Sequence, residues 1–519
     1  MKLHPLDIAV IAAYFSCMLG LGVLVSKKNR SAESYFLGKR DFPGWAIGIS
    51  FIGAMVSSVT FIAIPADAFK TAWVRFLPNL AFPLVVLISA CWFMPFFRRG
   101  TVTSAYEYLA LRFGPSVSAY GAAVYLVAQV TRTATVVYLM AVLMATMTGL
   151  RIEWSIVLAG GITAIYTVKG GFAAVVWTDV IQTVILVAGA LVIIGFAVAL
   201  VPGGFPAIIA EAAAAKKLSF HDLNPATGLL EPTRGGFSLT EKTTIMLMLV
   251  GFTQYVAGKL NQETVQRWCS SRSPREARKS MLILGAGSIP IWASFMFMGT
   301  CLWVYYRHFN DPVAEAILAG TQKAESILPH FILTVLPTGV VGLVISAALA
   351  AAMSTLSSGI NSASMVLVQD LYRAHLVKNR SAAHYFTAGR LSSLLISLLM
   401  IAGAFVFHYS NTKTLNEFSI IMTAVIGGGI AGAFLLGMFT RRGDARAVLA
   451  GIAATVLFST CAMLMQFNML PRVFDPYYTS ILGNIIMLAV GYGASWIFKA
   501  PKRDLANLTI WDLSKEPMV

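Results

Sequence analysis

The residues of this 519-residue chain best suited to chemistry are hydroxyls set in an apolar run. Ala350-Ala351-Ala352-Met353 leads into Ser354-Thr355-Leu356-Ser357-Ser358, then Gly359-Ile360-Asn361-Ser362. At helical spacing Ser354, Ser357, Ser358 and Asn361 share a face through i, i+3, i+4 and i+7, flanked by Thr355 and Ser362. Neutral hydroxyl oxygens suit a hard cation, not a soft metal. A cation held by neutral oxygens is also free to leave. One or two serines would be read as glue between helices or as bonded to the preceding turn. Four hydroxyls within five positions point to a site.

Two charged residues join that face as candidates. Asp179 lies in Trp177-Thr178-Asp179-Val180-Ile181-Gln182, at the start of another apolar run. An acid at membrane depth is costly, and a bound cation would keep it ionised. The alternative is an interfacial aspartate capping a helix. Arg132 lies in the middle of an apolar run, too far from either end to reach water easily. A guanidinium binds carboxylates through a two-pronged fork, so Arg132 reads as an anchor for an anionic substrate. The alternative is a structural partner for an acid or for carbonyls. Lys259, near the end of its run, reads as snorkelling to the cytoplasm.

The elements that must position these groups are membrane helices. The chain is 57% hydrophobic and 12% charged. Soluble domains carry about 25% charged residues. The deficit is spread along the whole chain. Apolar runs long enough to span, about 20 residues each, number about thirteen. They lie near 6–26, 43–68, 77–97, 117–147, 153–168, 174–201, 243–263, 281–305, 333–365, 386–408, 416–439, 446–468 and 476–498. The first reads as a retained helix, not a cleaved signal, since no small-x-small site precedes the basic residues after it. Thr103–Phe113 is too short and too charged to span and reads as an interfacial or cytoplasmic helix.

Basic residues set the topology. The net charge is +16, and the basic residues cluster in short loops, including 27–40, 98–99, 267–279, 373–390, 441–446 and 499–503. Threaded through thirteen spans, these fall on one side. The positive-inside rule makes that side cytoplasmic, with the N-terminus outside and the C-terminus inside. Topology accounts for the charge, and no nucleic-acid partner is expected. The five cysteines show no pairing or metal spacing.

The second span carries Gly48, Gly53, Ser57, Ser58, Thr60 and Pro65. Such residues at mid-membrane depth suggest a broken helix lining a cavity. Gly427-Gly428-Gly429, in the eleventh span, suggests close packing or bending. The seven histidines are scattered, and neither a His-Glu-x-x-His motif nor a phosphate-binding Gly-x-x-x-x-Gly-Lys-Ser/Thr loop occurs. An enzyme and a primary pump are therefore disfavoured. A secondary transporter is the reading that remains, with proton coupling through Asp179 as its variant.

Markers along nearly the whole chain resemble the sodium/solute symporter family, which includes sodium–glucose and bacterial sialic acid transporters. They are Pro43-Gly44-Trp45, Ser57-Ser58-Val59-Thr60-Phe61, Thr103–Leu109, Trp177–Gln182, Asn261-Gln262 with Gln266-Arg267, and Ser354–Ser362. The resemblance implies an all-α polytopic fold with a five-plus-five inverted-repeat core and one extra N-terminal helix. The units expected are 1–41 for the extra helix and its loop, 42–242 and 243–442 for the two repeats, and 443–519 for two final spans and a tail. It implies a first sodium site at Gly53, Val56, Ala351, Ser354 and Thr355. A second would use Asp179, Ser354, Ser357 and Ser358. Ser57, Ser58, Thr60, Asn79 and Arg132 match substrate-binding positions. Met55, Arg75, Asn79 and Val250 depart from the sialic acid pattern. The function implied is sodium-coupled import of a small solute by alternating access, with an acidic sugar such as sialic acid foremost and a neutral sugar or a monocarboxylate as alternatives. A monomer in lipid, in a bacterial inner membrane, is expected.

Overall fold

The computed structural model describes residues 3–27, 31–99, 102–224, 227–410, 429–498 and 504–512. The glycines 427 and 428, most of the expected eleventh span and the basic run 499–503 lie outside them. Among the described residues nine helices are long and apolar enough to cross a membrane, or ten counting one bent pair.

Helix α1 (Pro5–Ser26) leads the chain. The bent pair follows as α2 (Gly44–Met55) and α3 (Ser58–Lys70). Between them Val56 and Ser57 are extended, and the two axes differ by 57°. The expected broken helix is thus present. Its break falls at the Val56–Ser57 step, while Pro65 sits inside α3. Trp73–Arg98 forms the third span, and Ala105–Phe113 is a short helix capped by Ser104.

Helix α4 (Pro115–Thr148) carries Arg132. Helix α5 (Ile152–Leu200) is 49 residues long. At about 1.5 Å per residue that is more than twice an apolar bilayer core of about 30 Å. It resolves into the two spans expected there, joined at Gly171, where φ is +58°. A Cβ at Gly171 would also sit 2.6 Å from the Tyr35 carbonyl oxygen, so only glycine fits the joint.

A second break went unforeseen. Helix α6 (Thr244–Lys259) stops inside the expected seventh span, and α7 (Gln262–Ser270) starts before that span ends and runs past it. Leu260 and Asn261 leave the helical conformation, and the Asn261 side chain caps α7 by accepting from the Thr264 amide at 3.1 Å. The reason is local: asparagine competes with the helix for backbone donors and so favours caps.

Helix α8 (Pro274–Phe309) packs against α2 and α3. Helix α9 (Val340–Val366) holds the hydroxyl face and is buried along almost its entire length. It packs chiefly on α5, with α4 and α1 also against it. Helices α10 (Ala382–Tyr409), α11 (Ala445–Gln466) and α12 (Thr479–Ile497) complete the spans, α11 and α12 forming a close pair. The polar segments between spans carry short helices and one small antiparallel hairpin pairing Asp222 with Glu231.

Candidate functional site

The last carbonyls of a helix have no partner within it. At membrane depth such a group is costly unless something answers it. The end of α2 is answered by α9. Ser354 Oγ donates to the Gly53 carbonyl at 2.8 Å, and Thr355 Oγ1 to the Ala54 carbonyl at 3.5 Å. Both hydroxyls also reach the Ala351 carbonyl, at 3.2 and 3.3 Å. Val56 is extended and buried at the break itself. Gly53 permits this approach on its other side, since a Cβ there would lie 2.4 Å from Thr183 Oγ1 of α5. The result is a cluster of neutral oxygens from two helices, the donor set a hard monovalent cation takes.

One turn further along α9 the chemistry becomes ionic. Asp179 Oδ2 accepts from Ser50 Oγ at 2.6 Å and from Arg267 Nη2 at 3.1 Å. Ser358 Oγ lies 3.5 Å from the same carboxylate oxygen and accepts from Arg267 Nη2 at 2.6 Å. Arg267 Nε donates to Ser50 Oγ at 3.1 Å. Asp179 and Arg267 are fully buried, and Asp179 Oδ1 has no hydrogen-bond partner. Asp179 therefore does not cap a helix. Ser357 donates to the Ser354 carbonyl at 3.2 Å. Asn361 accepts from Gln266 at 2.7 Å, and Ser362 from Tyr125 at 2.8 Å. The polar face of α9 is real, and its members serve three different neighbours: the α2 end, the Asp179–Arg267 pair, and α7 with α4.

Between the two breaks lies a cavity of about 320 Å³. Three of the expected substrate residues, Thr60, Asn79 and Arg132, line it, as does Met55. Ser57 and Ser58 do not. Ser57 sits at the break with its carbonyl accepting from Phe61, and Ser58 is buried with its hydroxyl unpartnered. Arg75 pairs with Asp67 at 3.4 Å and is exposed, while Val250 packs in a separate apolar cluster with Met246 and Tyr478. Neither reaches the cavity.

Arg132 does not face it alone. Its Nη1 is 3.5 Å from Glu263 Oε2, and Gln129 Nε2 holds Glu263 Oε1 at 2.6 Å. The structural alternative for Arg132, an acid partner, is thus also present. Lys259 corrects the snorkelling expectation. It is 4% exposed and lines the cavity, because α6 ends at the break, deep inside the protein. Its Nζ lies 5.3 Å from the Phe51 ring and 5.0 Å from the Phe82 ring. Tyr255 and Trp292, stacked on one another, form an aromatic wall of the cavity, with Phe82 edge-on to both, and Tyr255 donates its hydroxyl to Asn79. Arg267, expected in the cytoplasmic basic loop 267–279, is instead buried in the site, and Glu263 and Lys259 join it there without a role expected from the sequence. Charged residues at membrane depth in one segment were the available signal.

A multi-pass helical protein with two broken helices facing one another across a cavity, and a hydroxyl helix beside the first break, has the architecture of a secondary transporter. The model of the "Sodium:solute symporter family" matches residues 35–454. The sodium/sialic acid symporter NanT of Aliivibrio fischeri is 29% identical over 505 residues, which cover 95% of this chain and 94% of its own length. The sodium/sialic acid symporter SiaT of Proteus mirabilis is 30% identical over 466 residues, covering 88% and 90%. The solved structure of a Na+-coupled sialic acid symporter, substrate-bound and outward-open, superposes with a TM-score of 0.85 at 27% identity, covering 96% of this chain and 99% of that one. The chain belongs to the sodium:solute symporter family. It is a transporter coupled to sodium, not an enzyme.

Proposed function

We propose that this chain imports a monovalent acidic sugar, sialic acid foremost, together with sodium by alternating access. One observation carries the reading: a cavity between two helix breaks, lined by more basic than acidic side chains, lies beside a cluster of neutral oxygens. About 320 Å³ falls at the low end of the range for small-ligand sites, roughly 300–1,000 Å³. It exceeds what a halide or a three-carbon acid needs. The relatives that transport sialic acid support the same substrate class.

The first sodium ion is held by the carbonyls of Gly53, Val56 and Ala351 with the hydroxyls of Ser354 and Thr355. The hydroxyl protons now directed at carbonyls turn away, and both sets of oxygens face the ion. The second is held by Asp179, Ser354, Ser357 and Ser358; the unpartnered Asp179 Oδ1 supports a cation there. The substrate occupies the cavity, with Thr60, Asn79 and Arg132 among its contacts and Ser57 and Ser58 reached as the break moves. The repeats run over 42–242 and 243–442, preceded by 1–41 and followed by 443–519. A helix break near the start of each repeat supports that division. The protein works as a monomer in the lipid of a bacterial inner membrane, N-terminus outside, C-terminus cytoplasmic, with no nucleic-acid partner.

The test is uptake of labelled N-acetylneuraminate into proteoliposomes under an imposed sodium gradient with the pH gradient collapsed. Accumulation that follows the sodium gradient is expected. Uptake indifferent to sodium would sink the coupling, and sodium-driven uptake of other solutes only would sink the substrate.

A further inference from the structure

We infer that Lys259 is the charge that recognises the anionic group of the substrate, and that the cavity is built for a single negative charge. This rests on the transport reading above and deepens it. Three cations reach the cavity wall: Arg132, Lys259 and Arg267. Two are already answered. Arg132 has Glu263 at 3.5 Å, and Arg267 has Asp179 at 3.1 Å. Lys259 has no carboxylate and no hydrogen-bond acceptor among the described residues. What faces it is the Phe51 and Phe82 rings, and a second cation shares the Phe51 ring: the Arg267 Cζ also lies 5.3 Å from its centroid.

A buried ammonium without a counter-charge is costly, and ring faces offset only part of that cost. The negative end of α6 contributes a little more, since Lys259 is its last residue. The protein around the cavity is therefore one anion short. A monoanionic ligand completes the set, whereas a neutral ligand leaves Lys259 uncompensated and a dianion adds a charge with no partner. The aromatic wall beside Lys259, with Asn79 held by Tyr255, offers an apolar face and an amide to the rest of a sugar. Arg132, half exposed and paired, then positions the ligand and holds Glu263 in place.

The experiment is binding of N-acetylneuraminate and of its neutral methyl ester to purified full-length protein in sodium, by calorimetry. The wild type is expected to prefer the acid by about 10- to 100-fold, the range of a hydrogen bond to a charged group. In Lys259→Gln that preference collapses towards one, and Lys259→Arg restores it. Lys259→Met, apolar and of similar reach, gives the same reading should the glutamine variant fail to purify as a single species. An acid preference that survives in Lys259→Gln or Lys259→Met overturns the role of Lys259 and leaves the transport reading standing. A wild type that binds lactate or iodide and no sugar acid overturns the sugar and not Lys259; the same variants must then lose that anion. A wild type indifferent to ligand charge overturns both.

Discussion

On the proposed assignment of sodium and anion, the two helix breaks use the same backbone device for ions of opposite sign. At the break between α2 and α3 the groups that meet at the helix end are neutral: the Gly53 and Ala54 carbonyls accept from two hydroxyls of α9. At the break between α6 and α7 the side chains are charged: Lys259 ends one helix, Glu263 opens the next, and Arg267 follows in its last turn. A helix end supplies only partial charges, about half an elementary charge. Neutral oxygens added to a carbonyl end make a cation site that can release its ion. A lysine added to a carbonyl end reverses the sign. On that assignment side-chain choice at the break, rather than the break itself, decides which ion each half of the transporter receives.

The Asp179–Arg267 pair ties α5 to α7, with Ser50 of α2 bonded to both, and breaking it carries the largest expected effect. Both groups are fully buried. Removing one partner leaves a buried charge unanswered, which costs about 3–5 kcal/mol. Arg267→Met should lower unfolding stability in detergent by that amount and abolish sodium-driven uptake. Asp179→Asn should do likewise. The double variant should recover much of the stability without recovering transport, since the acid proposed for the second sodium ion stays absent. A double variant no more stable than either single one would mean that the pair does not act as a unit.

Ser354→Ala tests the neutral break, together with the second sodium site that shares this hydroxyl. It deletes the hydroxyl that reaches Gly53 and leaves every charge at the other break in place. The sodium concentration for half-maximal uptake should rise about tenfold, near 1.4 kcal/mol. The acid-over-ester preference in the cavity should not move. Loss of that preference in Ser354→Ala would show that the two breaks do not divide the ions between them.

Much of this division was legible in the sequence, and what was not has a physical reason. The hydroxyl face of α9 was visible because it repeats at helical spacing against an alanine and leucine background. The first break was visible from glycine, serine and proline crowding one span, and the joint at Gly171 from the polar gap between two apolar runs. The second break carried no such crowding. Gly258-Lys259-Leu260-Asn261 reads as an ordinary helix end approaching the water, and only tertiary packing shows that it ends deep inside the protein. Partnership was equally hidden. Arg132 and Glu263 lie on different helices, as do Asp179 and Arg267, and one chain without coordinates does not say which acid answers which base. For that reason the sequence alone points to Arg132 as the anion anchor and to the surface for Lys259.

Glu263→Gln sharpens the comparison with the smallest expected effect. Glu263 answers Arg132, whose side chain is 43% exposed to solvent, so the pair contributes little to stability and its loss should cost at most about 1 kcal/mol. The consequence for the cavity is different. Removing the acid leaves Arg132 and Lys259 both without a counter-charge at the charged break, while the neutral break is untouched. Affinity for the monoanion should rise severalfold, with dianionic analogues gaining more than monoanionic ones. Sodium affinity measured without substrate should stay as it was. If Glu263→Gln instead weakens anion binding, the carboxylate serves the ligand directly, through its hydroxyl groups. The charge balance at the second break would then be set by Lys259 and Arg132 together rather than by Lys259 alone.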